Sequence, residues 1–186
     1  PPKIDRQTTT PFLLKLFYRN NTYHHLSEFS PHSTSSPPPH LQIYTWPSCT
    51  LRELTHLLVS ALPSLLPQPA IGTRLIFRLI FPDTRAAAQG REGMPGRYVS
   101  KDLGSVVIGG GGPGIDVEDV DGDVDMDDGG AKPQNGGRQD LENLEGDADK
   151  TLAEARFVIG DYVACAIFPP LPDGSVAAAP PPSTGR

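Results

Sequence analysis

The sequence contains few cysteines. Only Cys49 and Cys165 are present, and they lie far apart along the chain. Two cysteines exclude a disulfide scaffold and a four-cysteine zinc site. A single bridge requires the two thiols to meet in space. Reduced, buried thiols in an intracellular protein are the favoured interpretation.

Long apolar runs are also missing. No stretch approaches the roughly 18 apolar residues that a transmembrane helix requires. Residues 1–10 lack the apolar core of a secretory signal peptide. We therefore expect a soluble intracellular protein that does not associate with membranes.

Motifs for catalysis, metal binding and cofactor binding are lacking as well. The aspartate-rich run at 121–127 has neither glycine nor glutamate at the offsets that an EF-hand requires. The segment Gly109–Gly114 lacks the Gly-Lys-Ser/Thr ending of a phosphate-binding loop. His24 and His25 are adjacent, which points their side chains apart on an extended chain and disfavours a shared metal. We predict no enzyme and no catalytic, metal-binding or cofactor-binding residues; a hydrolase that uses Cys165 or His24 is the least favoured alternative.

Proline and glycine, by contrast, are abundant and concentrated in blocks. The chain has 21 prolines and 19 glycines, 40 of its 186 residues, against an average share of about 12%. Outside these blocks about 100 residues remain, enough for one folded core. We expect a single domain over 11–170 between a flexible N-terminus (1–10) and a disordered Pro/Ala-rich tail (171–186), with a low-complexity loop at 30–40 and a further loop at 84–96.

The excess of negative over positive charge is confined to one segment. Residues 109–150 carry 13 acidic and three basic side chains, a net charge of −10, whereas the remainder has nine acidic and 13 basic side chains, a net charge of +4. Such a polar, glycine-containing segment cannot bury enough apolar surface to offset its ordering entropy. We predict a disordered acidic insert and expect that deletion of residues 110–149 leaves the fold intact. The mildly basic remainder and its aromatic residues leave direct RNA binding as an alternative function.

Hydrophobic periodicity predicts one helix among several strands. Thr50 and Glu53 form a capping box, and leucines at helical spacing extend the helix to about residue 62. Apolar runs rich in β-formers predict strands at 12–18, 41–46, 73–81, 97–101 with an ordered continuation at 103–107, and 162–168. This pattern predicts the α+β class, with a sheet packed on one main helix.

Several blocks of the sequence resemble the family of the eighteen-kilodalton Sin-three-associated polypeptide. In chain order they are His24-His25 with Glu28-Phe29, residues 41–46, residues 50–55, residues 80–83, residues 157–162 and residues 166–170. The hexapeptide that ends at Trp46 and the Ile-Gly-Asp-Tyr block that ends at Tyr162 are the most specific. The sequence departs from the family mainly by the loop at 84–96 and the insert at 109–150.

The resemblance implies a ubiquitin-like β-grasp fold with a mixed sheet, and a non-catalytic adaptor in the nucleus, with the cytoplasm as a second location. It also implies two assemblies. One is the Sin-three histone deacetylase co-repressor complex. The other is a complex linked to splicing and the exon junction complex, with an Acinus- or Pinin-type protein and an RNA-recognition-motif protein. Contact with RNA is expected to be indirect, and no cofactor is implied.

A domain of this kind offers two binding devices, an open sheet edge and nearby aromatic anchors. The candidate partner-binding residues are His24, His25, Glu28, Phe29, Tyr44, Trp46 and Tyr162. Each has an alternative role in core packing or in bracing a loop.

Overall fold

The computed structural model describes residues 4–31, 33, 36–84, 97–109 and 141–181. The regular elements in these ranges are β1 (Phe12–Asn20), β2 (His40–Thr45), α1 (Leu51–Ala61), β3 (Arg74–Pro82), β4 (Tyr98–Ile108), β5 (Leu144–Gly146) and β6 (Tyr162–Phe168). A short 3₁₀ helix, Leu26–Phe29, lies between β1 and β2. Every predicted element is present, and the sequence did not predict β5 or the 3₁₀ helix.

The strands form one six-stranded sheet in the order β2-β1-β6-β3-β4-β5. The neighbours β1 and β6 are parallel, and all other neighbouring strands are antiparallel. Helix α1 covers one side of the sheet, called the inner face; the opposite side is the outer face. The predicted α+β class with a mixed sheet packed on one helix is confirmed.

Helix α1 begins at the predicted capping box. The Thr50 hydroxyl accepts from the Glu53 N–H at 3.2 Å, and the Glu53 carboxylate accepts from the Thr50 N–H at 2.9 Å. Leu51, Leu54 and Leu58 are fully buried because their spacing places them on one side of the helix. They pack into the main hydrophobic core with the inward side chains of the central strands.

Strand β4 is continuous where the sequence predicts two pieces. Its register with β3 shifts between Phe77 and Arg78, which makes Leu103 the extra residue of a β-bulge. The bulge reverses the alternation, so that Ser100 before it and Ser105 after it both pair with outward-facing residues of β3. The interrupted sequence pattern therefore reflects a change of phase within one strand.

The acidic insert has structure at its C-terminal end. Leu144 and Ala148 are buried in the main core. The insert also bonds to the start of α1, because the Leu51 N–H donates to Lys150 O at 3.0 Å and the Arg52 N–H donates to Ala148 O at 2.8 Å. These contacts fix the segment beside α1 and β4.

The prediction of disorder across 109–150 is therefore wrong over 141–150. Deletion of residues 110–149 would remove the buried Leu144 and Ala148 from the core, which argues against the expectation that the fold survives it. Average composition obscures the few apolar residues that reach the core, because burial depends on which side chains face inward. Residues 110–140 lie outside the described ranges.

The two termini make contacts with the folded domain. In the N-terminal segment, Arg6 forms an ion pair with Glu53 at 2.6 Å, and in the C-terminal tail the Tyr23 hydroxyl donates to Pro180 O at 3.0 Å. Flexibility of residues 1–10 and disorder of residues 171–186 stay predictions. Both segments are held by tertiary contacts that their polar or Pro-rich composition does not reveal.

The two predicted loops are only partly described. Residues 33 and 36–39 have neither helix nor strand, and His40 is the first residue of β2. In the loop at 84–96, residues 85–96 lie outside the described ranges.

Candidate functional site

The outer face carries an aromatic cluster, defined by Phe17, His24, Phe29, His40, Tyr98 and Tyr162. Phe17 lies at its centre, with ring centroids 4.9 Å from Phe29 and 5.4 Å from Tyr162. Tyr98 stacks on Tyr162 at 6.0 Å with an interplanar angle of 15°. Strands β1, β4 and β6 supply Phe17 and the two tyrosines, whereas His24 and Phe29 come from the connection between β1 and β2. The structure thus brings together three of the predicted residues, His24, Phe29 and Tyr162.

Glu28 braces this connection. Its two carboxylate oxygens accept hydrogen bonds from the Arg19 guanidinium at 2.7 and 3.0 Å, and one also accepts from the His25 N–H at 2.9 Å. Burial alone raises the pKa of Glu28, but the hydrogen bonds from Arg19 and His25 outweigh it and lower the pKa below its usual value. Glu28 therefore holds the connection in place, and the His25 side chain is left exposed.

His24 is buried, with 8% of its surface exposed. Neither ring nitrogen has a hydrogen-bond partner among the described residues. The ring borders a small cavity of about 10 Å³, which is also lined by Tyr23, Arg78, Ser100 and Ala164; such a space holds one water-sized group. Burial, assisted by the charge of nearby Arg19, lowers the pKa of His24 to about 4. The imidazole is therefore neutral in the folded protein at pH 7.

This burial predicts a pH-dependent stability. The unfolded chain takes up a proton on His24 near pH 6.5, whereas the folded protein does so only near pH 4. Because the unfolded state binds the extra proton in this window, the stabilising contribution is present above pH 6.5 and is lost as the pH falls towards 4. We expect the free energy of unfolding to fall there by up to about 1.4 kcal/mol per pH unit.

Urea denaturation between pH 4 and 7 measures this effect. Replacing His24 with phenylalanine should reduce the slope of the free energy of unfolding against pH by the amount that corresponds to one proton. His25→Gln, at the exposed neighbouring position, is the matched control and should retain the wild-type slope. An unchanged slope in His24→Phe would contradict a neutral buried imidazole.

Trp46 and Tyr44 lie apart from the aromatic cluster. The Trp46 Nε1–H donates to Thr9 O at 2.6 Å, and the Arg6 guanidinium lies 5.4 Å from the centre of the Trp46 ring. Trp46 therefore anchors the N-terminal segment. Tyr44 is 71% exposed and lies on the edge strand β2 opposite Leu13 of β1. Tyr44 is therefore the more exposed of the two, and Trp46 is partly buried.

Two further exposed apolar residues lie at the same end of the sheet. Val158 is 64% and Ile159 is 69% exposed. They lie in the turn before β6, which runs parallel to β1, and the preceding Phe157 stacks on Phe12 at the start of β1, with ring centroids 5.1 Å apart. We call Leu13, Tyr44, Val158 and Ile159 the apolar end patch. The sequence did not predict Leu13, Val158 or Ile159 as site residues, because an apolar run before a bend is equally typical of core.

Groups that could support other chemistry are buried or dispersed. Burial raises the pKa of the Cys49 thiol to about 11 and that of Cys165 further still. Among the described residues no three potential metal ligands are grouped together, and none of the helices there is long and apolar enough to span a bilayer.

Comparison with known proteins identifies the family. Residues 3–167 match the family model of Sin3 associated polypeptide p18 (SAP18). The chain belongs to the SAP18 family. The resemblance deduced from the short sequence blocks is confirmed.

The chain is similar to histone deacetylase complex subunits over most of their length. The human histone deacetylase complex subunit SAP18 is 33% identical over 97% of this chain and 84% of its own length. The Drosophila melanogaster subunit is 28% identical over 90% of this chain and 81% of its own length, and the Arabidopsis thaliana subunit is 27% identical over the same shares. SAP18 is a family of complex subunits and not of enzymes, which confirms the prediction of a non-catalytic protein.

Proposed function

We propose that this protein is a non-catalytic adaptor subunit of a nuclear histone deacetylase co-repressor complex. The support is its membership of the SAP18 family, whose named relatives are histone deacetylase complex subunits. An adaptor needs a stable scaffold and exposed contact surfaces, and the described residues supply both.

The scaffold that we infer is a ubiquitin-like β-grasp. Two features support this: α1 follows the hairpin β1–β2 and covers the inner face, and the first strand lies parallel to the last at the centre of the sheet. A sheet packed on one helix leaves its edge strands available to partners.

The apolar end patch is the observation that carries this proposal. It combines Tyr44, Val158 and Ile159, which are more than 60% exposed, with the partly exposed Leu13. Large apolar side chains that are exposed together at one end of a sheet are typical of a site of protein association. Strand β2 beside it pairs only with β1 within the described chain. Its free side can accept an extended segment of a partner through main-chain hydrogen bonds.

The same surfaces could serve a second assembly linked to splicing and the exon junction complex. We propose an Acinus- or Pinin-type protein as the partner there, with an RNA-recognition-motif protein making the RNA contact. Direct RNA binding by this chain has less support, because Arg6, Arg19, Arg52 and Arg78 are each engaged with a carboxylate. Trp46, the largest ring, is already occupied by Thr9 and Arg6.

Co-purification from nuclear extract tests the proposal. The tagged full chain should recover Sin3 and histone deacetylase, or an Acinus- or Pinin-type protein, as detected by immunoblotting. Ile159→Asp places a charge in the apolar end patch and should reduce recovery by about tenfold or more, the effect of losing a central apolar anchor.

Ile71→Asp is the matched control. Ile71 is also an exposed isoleucine, at 43%, but it precedes β3 at the opposite end of the sheet. It should retain wild-type recovery, and circular dichroism should show both variants folded. Recovery of neither set of partners by the wild type would refute the adaptor proposal, and equal recovery by both variants would refute the patch.

A further inference from the structure

The C-terminal tail beyond β6 lies on the outer face of the sheet. Its first residues form a turn, in which the Leu171 N–H donates to Ser175 O and the Gly174 N–H donates to Leu171 O, each at 2.8 Å. Residues 175–181 then continue without helix or strand. Ala177 packs against the cluster of outward-facing apolar side chains formed by Ile76, Ala166 and Phe168.

Two side chains of the sheet face hold the tail by its main chain. Arg74 Nε donates to Ala177 O at 2.8 Å, and the Tyr23 hydroxyl donates to Pro180 O at 3.0 Å. Both acceptors are main-chain carbonyls. Since proline has no N–H, a proline-rich segment offers mainly carbonyl acceptors to a binding surface. The two donors therefore complement this class of segment.

Both donors are fixed by further contacts within the sheet. Arg74 Nη1 donates to Ser105 Oγ at 3.0 Å. The Tyr23 ring lies 4.0 Å below the Arg78 guanidinium, which is itself held by Asp102 at 3.0 Å. A binding surface ordered in advance loses little side-chain entropy when a ligand docks. We call this surface the tail groove; its residues are Tyr23, Arg74, Ile76, Ala166 and Phe168.

We propose that the tail groove is a docking site for extended alanine- and proline-rich segments, and that residues 175–181 occupy it in competition with such a segment of a partner protein. The groove contacts two main-chain carbonyls and one small apolar side chain, which belong to Ala177 and Pro180. An Ala-x-x-Pro stretch in the same extended conformation presents the same groups. Proline-rich ligands suit this mode because their extended form is largely set before binding. The resident contacts are few, so a partner segment can displace the tail.

The tail groove is distinct from the apolar end patch. It involves the start of β3 and the end of β6, whereas the patch lies beside the start of β6. Assembly through the patch and exchange in the groove can therefore be tested separately, and failure of one does not entail failure of the other.

Nuclear magnetic resonance on the ¹⁵N-labelled full chain tests the proposal. Ala177→Asp should release the tail, because a carboxylate has no partner against the apolar floor of the groove. A synthetic peptide with the sequence of residues 171–181 should then shift the amide signals of Ile76, Ala166 and Phe168. Wild-type protein should bind the peptide at least about tenfold more weakly, since its tethered tail competes at millimolar effective concentration.

Two variants make the result specific. Ala178→Asp adds the same charge at an exposed neighbouring position and should behave like the wild type. Adding Tyr23→Phe to Ala177→Asp removes the donor to the Pro180 carbonyl and should weaken peptide binding by about three- to tenfold. Identical responses from wild type, Ala177→Asp and Ala178→Asp, or no peptide-induced shifts in Ala177→Asp at millimolar peptide, would overturn the proposal.

Discussion

Replacing Leu54 with alanine is expected to lower the free energy of unfolding by about 2–5 kcal/mol, the range for a fully buried leucine. Leu54 has no exposed surface and lies in the main core, where α1 packs on the inner face of the sheet. The loss combines the missing transfer free energy with the cavity left behind. Set against a total stability of about 5–15 kcal/mol for a domain, this change removes a substantial fraction of the free energy of unfolding.

The same helix provides the control for this prediction. Leu57 is 41% exposed, so Leu57→Ala removes the same atoms with little loss of burial and should change stability by about 0.5 kcal/mol or less. Urea denaturation followed by circular dichroism measures both variants. Similar losses at the two positions would show that α1 does not turn Leu54 towards the sheet and Leu57 towards solvent.

Replacing Gly146 with alanine should destabilise the protein by at least about 2 kcal/mol. Gly146 ends β5 with a φ of +85°, a conformation that favours glycine, and an added Cβ would stand 2.5 Å from the Ser105 carbonyl oxygen. That oxygen belongs to the main chain of β4 and cannot move without disturbing the sheet. The substitution should therefore loosen β5 and expose the core beneath it.

Gly160→Ala is the control that separates the two causes of destabilisation, the steric clash of the added Cβ and the positive φ. Gly160 also has a positive φ, +105°, but a Cβ added at this residue would meet no atom of the described residues within 4 Å. This variant should lose about 1–2 kcal/mol, the conformational cost alone. A Gly146→Ala protein as stable as Gly160→Ala would indicate that β5 is not packed on β4, and that the end of the acidic insert is structured in some other way.

The candidate site was only partly predictable from sequence. His24, Phe29 and Tyr162 were expected to bind partners, and they meet in one cluster because β1, β6 and the connection after β1 converge on the outer face. Trp46 and Glu28 act in the structure as braces, with Thr9 and Arg19 as their partners. A preference for aromatic or charged residues cannot distinguish a brace from a contact residue, since both roles favour the same side chains. Val158 and Ile159 escaped prediction for the opposite reason, since apolar residues next to a strand are usually core.

Local features of the chain were enough to predict the helix, the five longer strands, the α+β class and the family, because periodicity, the capping box at Thr50 and the short specific blocks all lie within a few residues of one another. The positions of the polar and Pro-rich segments, in contrast, depend on contacts between residues that are distant in sequence. The end of the acidic insert forms β5 because Leu144 and Ala148 face the core, and the tail lies on the outer face because Arg74 and Tyr23 meet its carbonyls. The cysteines also show the difference between what the sequence determines and what the tertiary structure determines. Two cysteines exclude a disulfide scaffold on count alone, but their burial as free thiols depends on strands and loops that meet only in the folded chain.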